Sequence, residues 1–175
     1  GARDDTLYGG WENLDVDGAR TDSRDTLDGG DGNDVLRLTA GDGSDHYELR
    51  GGAGADRFRI ELRADSGAVV TPEALDKVMD FNAADGDAIS VLLKQSDDDF
   101  EYSFVRWMGY SDIDFANAMG QAAPPDGSAG VYWNLWVHHD PAQQLSTLYV
   151  DLDRDGFITR SDYLLQFHTA QAITA

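Results

Sequence analysis

The stretch from Leu27 to Leu62, LDGGDGNDVLRLTAGDGSDHYELRGGAGADRFRIEL, leaves a chain few ways to fold, because it contains one nine-residue phrase three times. Gly29-Gly30-Asp31-Gly32-Asn33-Asp34-Val35-Leu36-Arg37 matches G-G-x-G-x-D-x-U-x in full, where U is a large apolar residue, and Gly51-Gly52-Ala53-Gly54-Ala55-Asp56-Arg57-Phe58-Arg59 matches it again. Between them, Ala40-Gly41-Asp42-Gly43-Ser44-Asp45-His46-Tyr47-Glu48 departs only at the first glycine. A repeat this short is one structural unit that cannot bury its apolar side alone, so successive units must stack.

The residue types at this spacing point to a hard cation. Closely spaced glycines (Gly30, Gly32, Gly41, Gly43, Gly52 and Gly54) let the backbone turn with positive φ and direct its carbonyl oxygens inward, which a residue with a Cβ does only at steric cost. The aspartates six positions in, Asp34, Asp45 and Asp56, add anionic oxygens, with Asp31, Asn33 and Asp42 in the same turns as further donors. Ca²⁺ takes 6–8 such oxygens at roughly 2.3–2.6 Å. One turn cannot supply that many, so an ion is expected between two turns stacked on one edge.

A short strand follows each aspartate, with alternate residues facing opposite sides. This places Leu36 and Leu38, Tyr47 and Leu49, and Phe58, Ile60 and Leu62 on one face, the expected core. The aspartates Asp25, Asp34, Asp45 and Asp56 are separated by nine, eleven and eleven residues. Two extra residues lengthen a strand without exchanging its faces, because the side-chain period is two. The turns at 29–34 and 51–56 therefore share one edge and hold an ion between Asp34 and Asp56, while the turn at 40–45 lies on the opposite edge.

The phrase resembles the RTX (repeats-in-toxin) family, whose members are secreted by Gram-negative bacteria through type I systems. The resemblance implies a parallel β-roll that folds on meeting extracellular calcium. A flexible Gly/Asp-rich linker is the competing reading, but a linker has no reason to place apolar residues at fixed distances after each aspartate.

With 33 acidic residues against 13 basic ones the chain carries a formal charge of −20. Self-repulsion of that size opposes compaction and argues against a nucleic-acid partner, whose affinity comes from Lys and Arg. Bound calcium would relieve it, which suits a chain unfolded where calcium is scarce and folded where it is plentiful. Cysteine is absent, so disulfides and thiolate zinc sites are excluded and metal is the obvious staple for a secreted domain. No apolar run approaches the ~20 residues of a membrane span. The termini, Gly1 and Ala175, read as those of a piece cut from a longer protein.

Outside the repeats the signals are weaker. Residues 1–28 read as decayed repeats, with Asp5-Thr6-Leu7-Tyr8-Gly9-Gly10 and Asp25-Thr26-Leu27-Asp28-Gly29-Gly30 each keeping D-x-U-x-G-G. Asp22 and Asp25 could complete a site opposite the turn at 40–45. Residues 63–90 are expected to leave the roll, with a helix start at Thr71-Pro72. Lys77-Val78-Met79-Asp80-Phe81 followed by Gly86-Asp87-Ala88-Ile89 is similar to a phrase that follows the roll in serralysin-type metalloproteases and alginate epimerase R-modules. That resemblance makes Asp80 a candidate ligand; the plain alternative is a surface aspartate ending a strand.

Phe100–Trp107 and Val131–Val137 read as aromatic strands that would cover the roll as a β-sandwich-like cap. Tyr132, Trp133 and Trp136 there suit either core packing or a sugar platform. In His138-His139-Asp140 the adjacent histidines point to opposite faces of a strand, so they do not share an ion, and Pro141 favours a turn. Finally, Asp151-Leu152-Asp153-Arg154-Asp155-Gly156-Phe157-Ile158-Thr159-Arg160-Ser161-Asp162 fits the twelve-residue EF-hand loop, with Asp151, Asp153, Asp155, the Phe157 carbonyl and Asp162 as ligands. Its twelfth residue is aspartate rather than glutamate and its incoming flank, Leu145–Val150, reads as a strand. RTX carboxyl ends are similar in this respect; the alternative is a solvated acidic turn.

The expected architecture is all-β: a parallel β-roll over 1–62 and a β-rich cap over 63–175 with the acidic loop at 151–162. The expected function is that of a secreted, extracellular calcium-binding module that folds on calcium and stabilises the adjoining domain of its parent. Its partners would be calcium ions, that domain and the type I secretion machinery, with a polysaccharide-binding adhesin or R-module as the alternative. No nucleophile elbow, zinc helix or phosphate loop points to an enzyme.

Overall fold

Where an aspartate is followed by alternating apolar residues, a strand forms and its apolar side turns inward. The computed structural model describes residues 2–9, 24–40, 46–63, 75–94, 105–110, 133–153 and 162–170, and these build an all-β protein. Among the described residues there are eleven strands and no helix: β1 (Thr6–Gly9), β2 (Arg24–Asp31), β3 (Val35–Ala40), β4 (His46–Ala53), β5 (Arg57–Arg63), β6 (Asp76–Val78), β7 (Ala88–Lys94), β8 (Val105–Tyr110), β9 (Trp133–Asp140), β10 (Leu145–Val150) and β11 (Tyr163–His168).

Two sheets result. One has the order β1-β3-β5-β7, with every pairing parallel. The other has the order β2-β4-β6-β11-β10-β9-β8. From β1 to β7 the chain alternates between them strand by strand.

The core lies between the sheets. Leu36, Leu38, Tyr47, Leu49, Phe58, Ile60 and Leu62, the residues whose alternation predicts one inward face, are all buried and join one cluster with Val78, Phe81, Leu165 and Phe167. Each large apolar side chain so buried contributes about 1.5–3 kcal/mol. The sheets approach closely at their first strands: a side chain on Gly9 would press on Leu27 and Tyr47 of the facing sheet. Rings link the layers further along, with Phe81 6.2 Å from Phe58 of β5 and 5.9 Å from Phe167 of β11.

Parallel pairing runs past residue 62, where the repeat phrase ends. β6 adds to β4 and β7 adds to β5, the latter in register from Arg57↔Ala88 to Arg63↔Lys94. The helix start expected at Thr71 lies outside the described residues. The strands expected to cover the roll as a sandwich-like cap belong to the seven-stranded sheet, which they join because β11 pairs in parallel with β6. β6 has only three residues, and its far edge would otherwise leave backbone groups unpaired. β10 then pairs antiparallel with β11 and β9, and β8 pairs in parallel with β9. His138, His139 and Asp140 end β9, and Pro141 opens the turn at 141–144, as the sequence suggests; there the Asp140 carboxylate accepts from Ala142 N at 2.8 Å.

Candidate metal centre

The repeat turns stack in register. Gly30 and Gly52 are partners and have φ of 92° and 95°; Gly32 and Gly54 have φ of 134° and 137°. The turn conformation is thus repeated almost to the degree. The stack also requires glycine for space, since a Cβ on Gly52 would collide with the Gly30 carbonyl oxygen and one on Gly54 with that of Gly32.

Aspartates bind the turns together through their own carboxylates. Asp34 N donates to Asp56 Oδ1 at 2.8 Å, Asp56 N to Asp87 Oδ1 at 2.9 Å, and Asp5 N to Asp34 Oδ1 at 2.7 Å. A column of four aspartates, Asp5-Asp34-Asp56-Asp87, therefore crosses one edge of the four-stranded sheet. Beside it, Asn33 N donates to Asp4 Oδ1 at 2.8 Å and Asn33 Oδ1 accepts from Ala55 N at 2.9 Å. Asp31 is exposed at the end of β2, where its register partner is Ala53.

One oxygen of each central carboxylate is left over. Asp34 and Asp56 are both 1% exposed, and their Oδ2 atoms have no hydrogen-bond partner. These atoms point at the first glycines of their turns, where a Cβ on Gly29 or Gly51 would collide with them. A buried anionic oxygen without a partner is costly. Burial pushes the Asp56 carboxyl above its ordinary pKa; the Asp34 amide opposes this, and the charges of Asp87, Asp34 and Asp80 add to it. Burial likewise raises Asp87, against hydrogen bonds from the Asn82 and Asp56 amides and with the charges of Asp80 and Asp85. This donor set fits a hard cation: anionic oxygens, buried, unpaired and on a rigid turn stack.

Asp80 sits beside that stack. Its Oδ1 accepts from Gly51 N and its Oδ2 from Gly52 N, both at 3.0 Å, so it ties the segment after β6 to the glycine turn.

The opposite edge is built differently. Register places Asp25 beside Tyr47, not beside another aspartate, so no continuous aspartate column runs through Asp25. The turn residues Gly41, Asp42, Gly43 and Asp45 lie outside the described residues. Asp76 at the start of β6 is buried, and both its oxygens are engaged: Oδ1 accepts from Tyr47 N at 3.0 Å and Oδ2 from the Tyr163 hydroxyl at 2.7 Å.

A second acidic cluster closes the β10–β11 hairpin. Val150 and Tyr163 are the last register pair, so the ends of the 151–162 loop come together. Carboxylate oxygens of Asp151, Asp153 and Asp162 lie within 4.8 Å of one another. Asp151 and Asp162 are buried and Asp153 is exposed, and Asp162 Oδ1 accepts from Leu152 N at 2.9 Å. Asp155 and Phe157 lie outside the described residues. Both flanks are strands, as the incoming one reads in the sequence.

Sequence reasoning missed Asp87 and Asp76 and gave Asp5 no role in the site. The signal for all three was present as D-x-U without its glycines: Asp5-Thr6-Leu7, Asp76-Lys77-Val78 and Asp87-Ala88-Ile89. No protein-family model matches this chain, and no curated protein matches it.

Proposed function

We propose that this chain is a calcium-binding RTX module: a parallel β-roll from a secreted protein, folded by extracellular calcium and stabilising the domain it adjoins. The observation that carries the reading is the pair of buried, unpartnered Oδ2 atoms of Asp34 and Asp56 on stacked glycine turns. Calcium would supply the positive partner that the two buried, unpartnered oxygens lack. Asp34 and Asp56 with the turn carbonyls would hold one ion, and Asp151, Asp153 and Asp162 a second. Sites of this class in extracellular modules bind at about 10⁻⁴–10⁻³ M, which separates cytosol from exterior. The test is a far-UV circular dichroism titration from chelator into millimolar Ca²⁺, with Mg²⁺ as control. A cooperative gain of β signal with Ca²⁺ alone supports the reading; an identical spectrum and melting midpoint in chelator and calcium overturns it.

A second reading, binding of an acidic polysaccharide, draws on a different observation. Tyr132 lies outside the described residues, as do the side chains of Trp133 and Trp136, so the alternative of an aromatic platform lies outside them too. A different surface, the outer face of the four-stranded sheet, gathers Arg37 and Arg59 around Glu61, with Arg57 exposed on the same face and Tyr8 67% exposed beneath the Arg37 guanidinium. That face is locally cationic in a chain of net charge −20. Salt-sensitive retention on an acidic glycan that falls in Arg57→Gln supports it; equal retention by wild type and variant removes it.

A further inference from the structure

We infer that the two edges of the parallel stack are sealed by different agents: a cation on the turn edge, and the Tyr163 hydroxyl on the other. The inference rests on the calcium reading and adds that calcium removal opens the turn edge and leaves the Asp76–Tyr163 bond closed.

The comparison is between residues of one type and similar burial. Asp34, Asp56 and Asp76 are 1%, 1% and 5% exposed. On the turn edge each carboxylate spends Oδ1 on a neighbouring amide and has no protein partner for Oδ2. On the opposite edge Asp76 spends Oδ1 in the same way, on Tyr47 N, but its Oδ2 accepts from Tyr163, 87 residues further along the chain. A hydrogen-bond donor stands where the other edge needs an ion.

The lock is also placed to act on the fold. Tyr163 opens β11, which pairs with β6 from Leu165↔Asp76 to Phe167↔Val78, and Phe167 packs on Phe81. The Tyr163 hydroxyl therefore bonds the coil to the carboxyl-terminal hairpin without any ion. In chelator, β4, β6 and β11 keep their parallel pairing while the turns at 32–34 and 54–56, and the acidic loop after β10, loosen.

Hydrogen exchange on the full chain, in millimolar calcium and in chelator, tests this with wild type, Tyr163→Phe and Asp76→Asn. Phenylalanine keeps the ring and removes only the hydroxyl, and asparagine keeps the shape and removes the charge. In wild type, chelator should speed exchange at the turn amides while β6 and β11 stay protected. In Tyr163→Phe, chelator should speed β6 and β11 as well, by about tenfold, as expected for losing a hydrogen bond to a charged group. The double variant should add little beyond either single one. Uniform loss of protection at both edges of the wild type in chelator overturns the inference while leaving the calcium reading intact. So does a Tyr163→Phe variant that matches wild type in chelator. No change at either edge on adding chelator overturns both.

Discussion

Replacing Asp56 by asparagine should move stability in opposite directions with and without calcium. The amide oxygen still accepts from Asp34 N, the contact that aligns the two turns, so the stack is kept. What is lost is the negative charge, which sits buried among Asp34, Asp87 and Asp80 and has its pKa raised chiefly by that burial. In chelator the loss relieves repulsion, and the melting midpoint should rise. In calcium the loss removes a ligand. For a site binding at about 10⁻⁴ M, 10 mM calcium stabilises the folded chain by RT ln(1 + [L]/Kd), about 2.7 kcal/mol. If the substitution weakens the site by about 100-fold, roughly 0.4 kcal/mol remains. The difference of about 2.3 kcal/mol corresponds to about 5–9 °C in a chain of this size. Differential scanning calorimetry in both buffers measures it. A midpoint that falls equally in chelator and in calcium would mean that Asp56 serves only as a hydrogen-bond acceptor, and the metal reasoning would be refuted at that residue.

Other outcomes follow from the same geometry. Asp56 and Asp87 have folded-state pKa values above the ordinary carboxylate value of 3.8, so without calcium the folded state binds more protons than the unfolded one. Their contribution to stability in chelator is greatest below that value and is lost as pH rises through the raised values; thermal melts in chelator across mildly acidic pH should show it. Calcium binding should in turn release protons, detectable as a buffer-dependent heat in titration calorimetry. Gly54→Ala combines φ of 137° with a collision at the Gly32 carbonyl and should destabilise by about 1–3 kcal/mol even in calcium. Urea denaturation checks it, and a loss below about 0.5 kcal/mol would mean the turns do not stack as described.

How much of this was legible in the sequence depends on how local its cause is. The inward face needed only a period of two counted from each aspartate, and Leu36, Leu38, Phe58 and Ile60 are buried accordingly. The turns needed only glycine at fixed spacing, which positive φ at Gly30, Gly32, Gly52 and Gly54 explains. The continuation of the stack through β6 and β7 was harder to see, because Asp76 opens β6 and Asp87 precedes β7 without the glycine pair that marks the repeat. The run Arg57-Phe58-Arg59-Ile60-Glu61 shows an alternating charged face, yet only the cross-strand register brings Arg37 onto Glu61.

The insertion of β11 beside β6 has no local signal at all. Asp76 and Tyr163 are 87 residues apart, and what joins their strands is a free strand edge and one carboxylate in need of a donor. Asp56 and Asp76 are the same residue type, equally out of reach of water, each at the start of a D-x-U phrase. Whether such a carboxylate calls for a cation or a hydroxyl is decided by what folds against it, and that neighbour comes from the far end of the chain. Motif counting can therefore identify the aspartates that must be satisfied, while the number of ions the proposed calcium reading calls for depends on how many of them the chain satisfies itself.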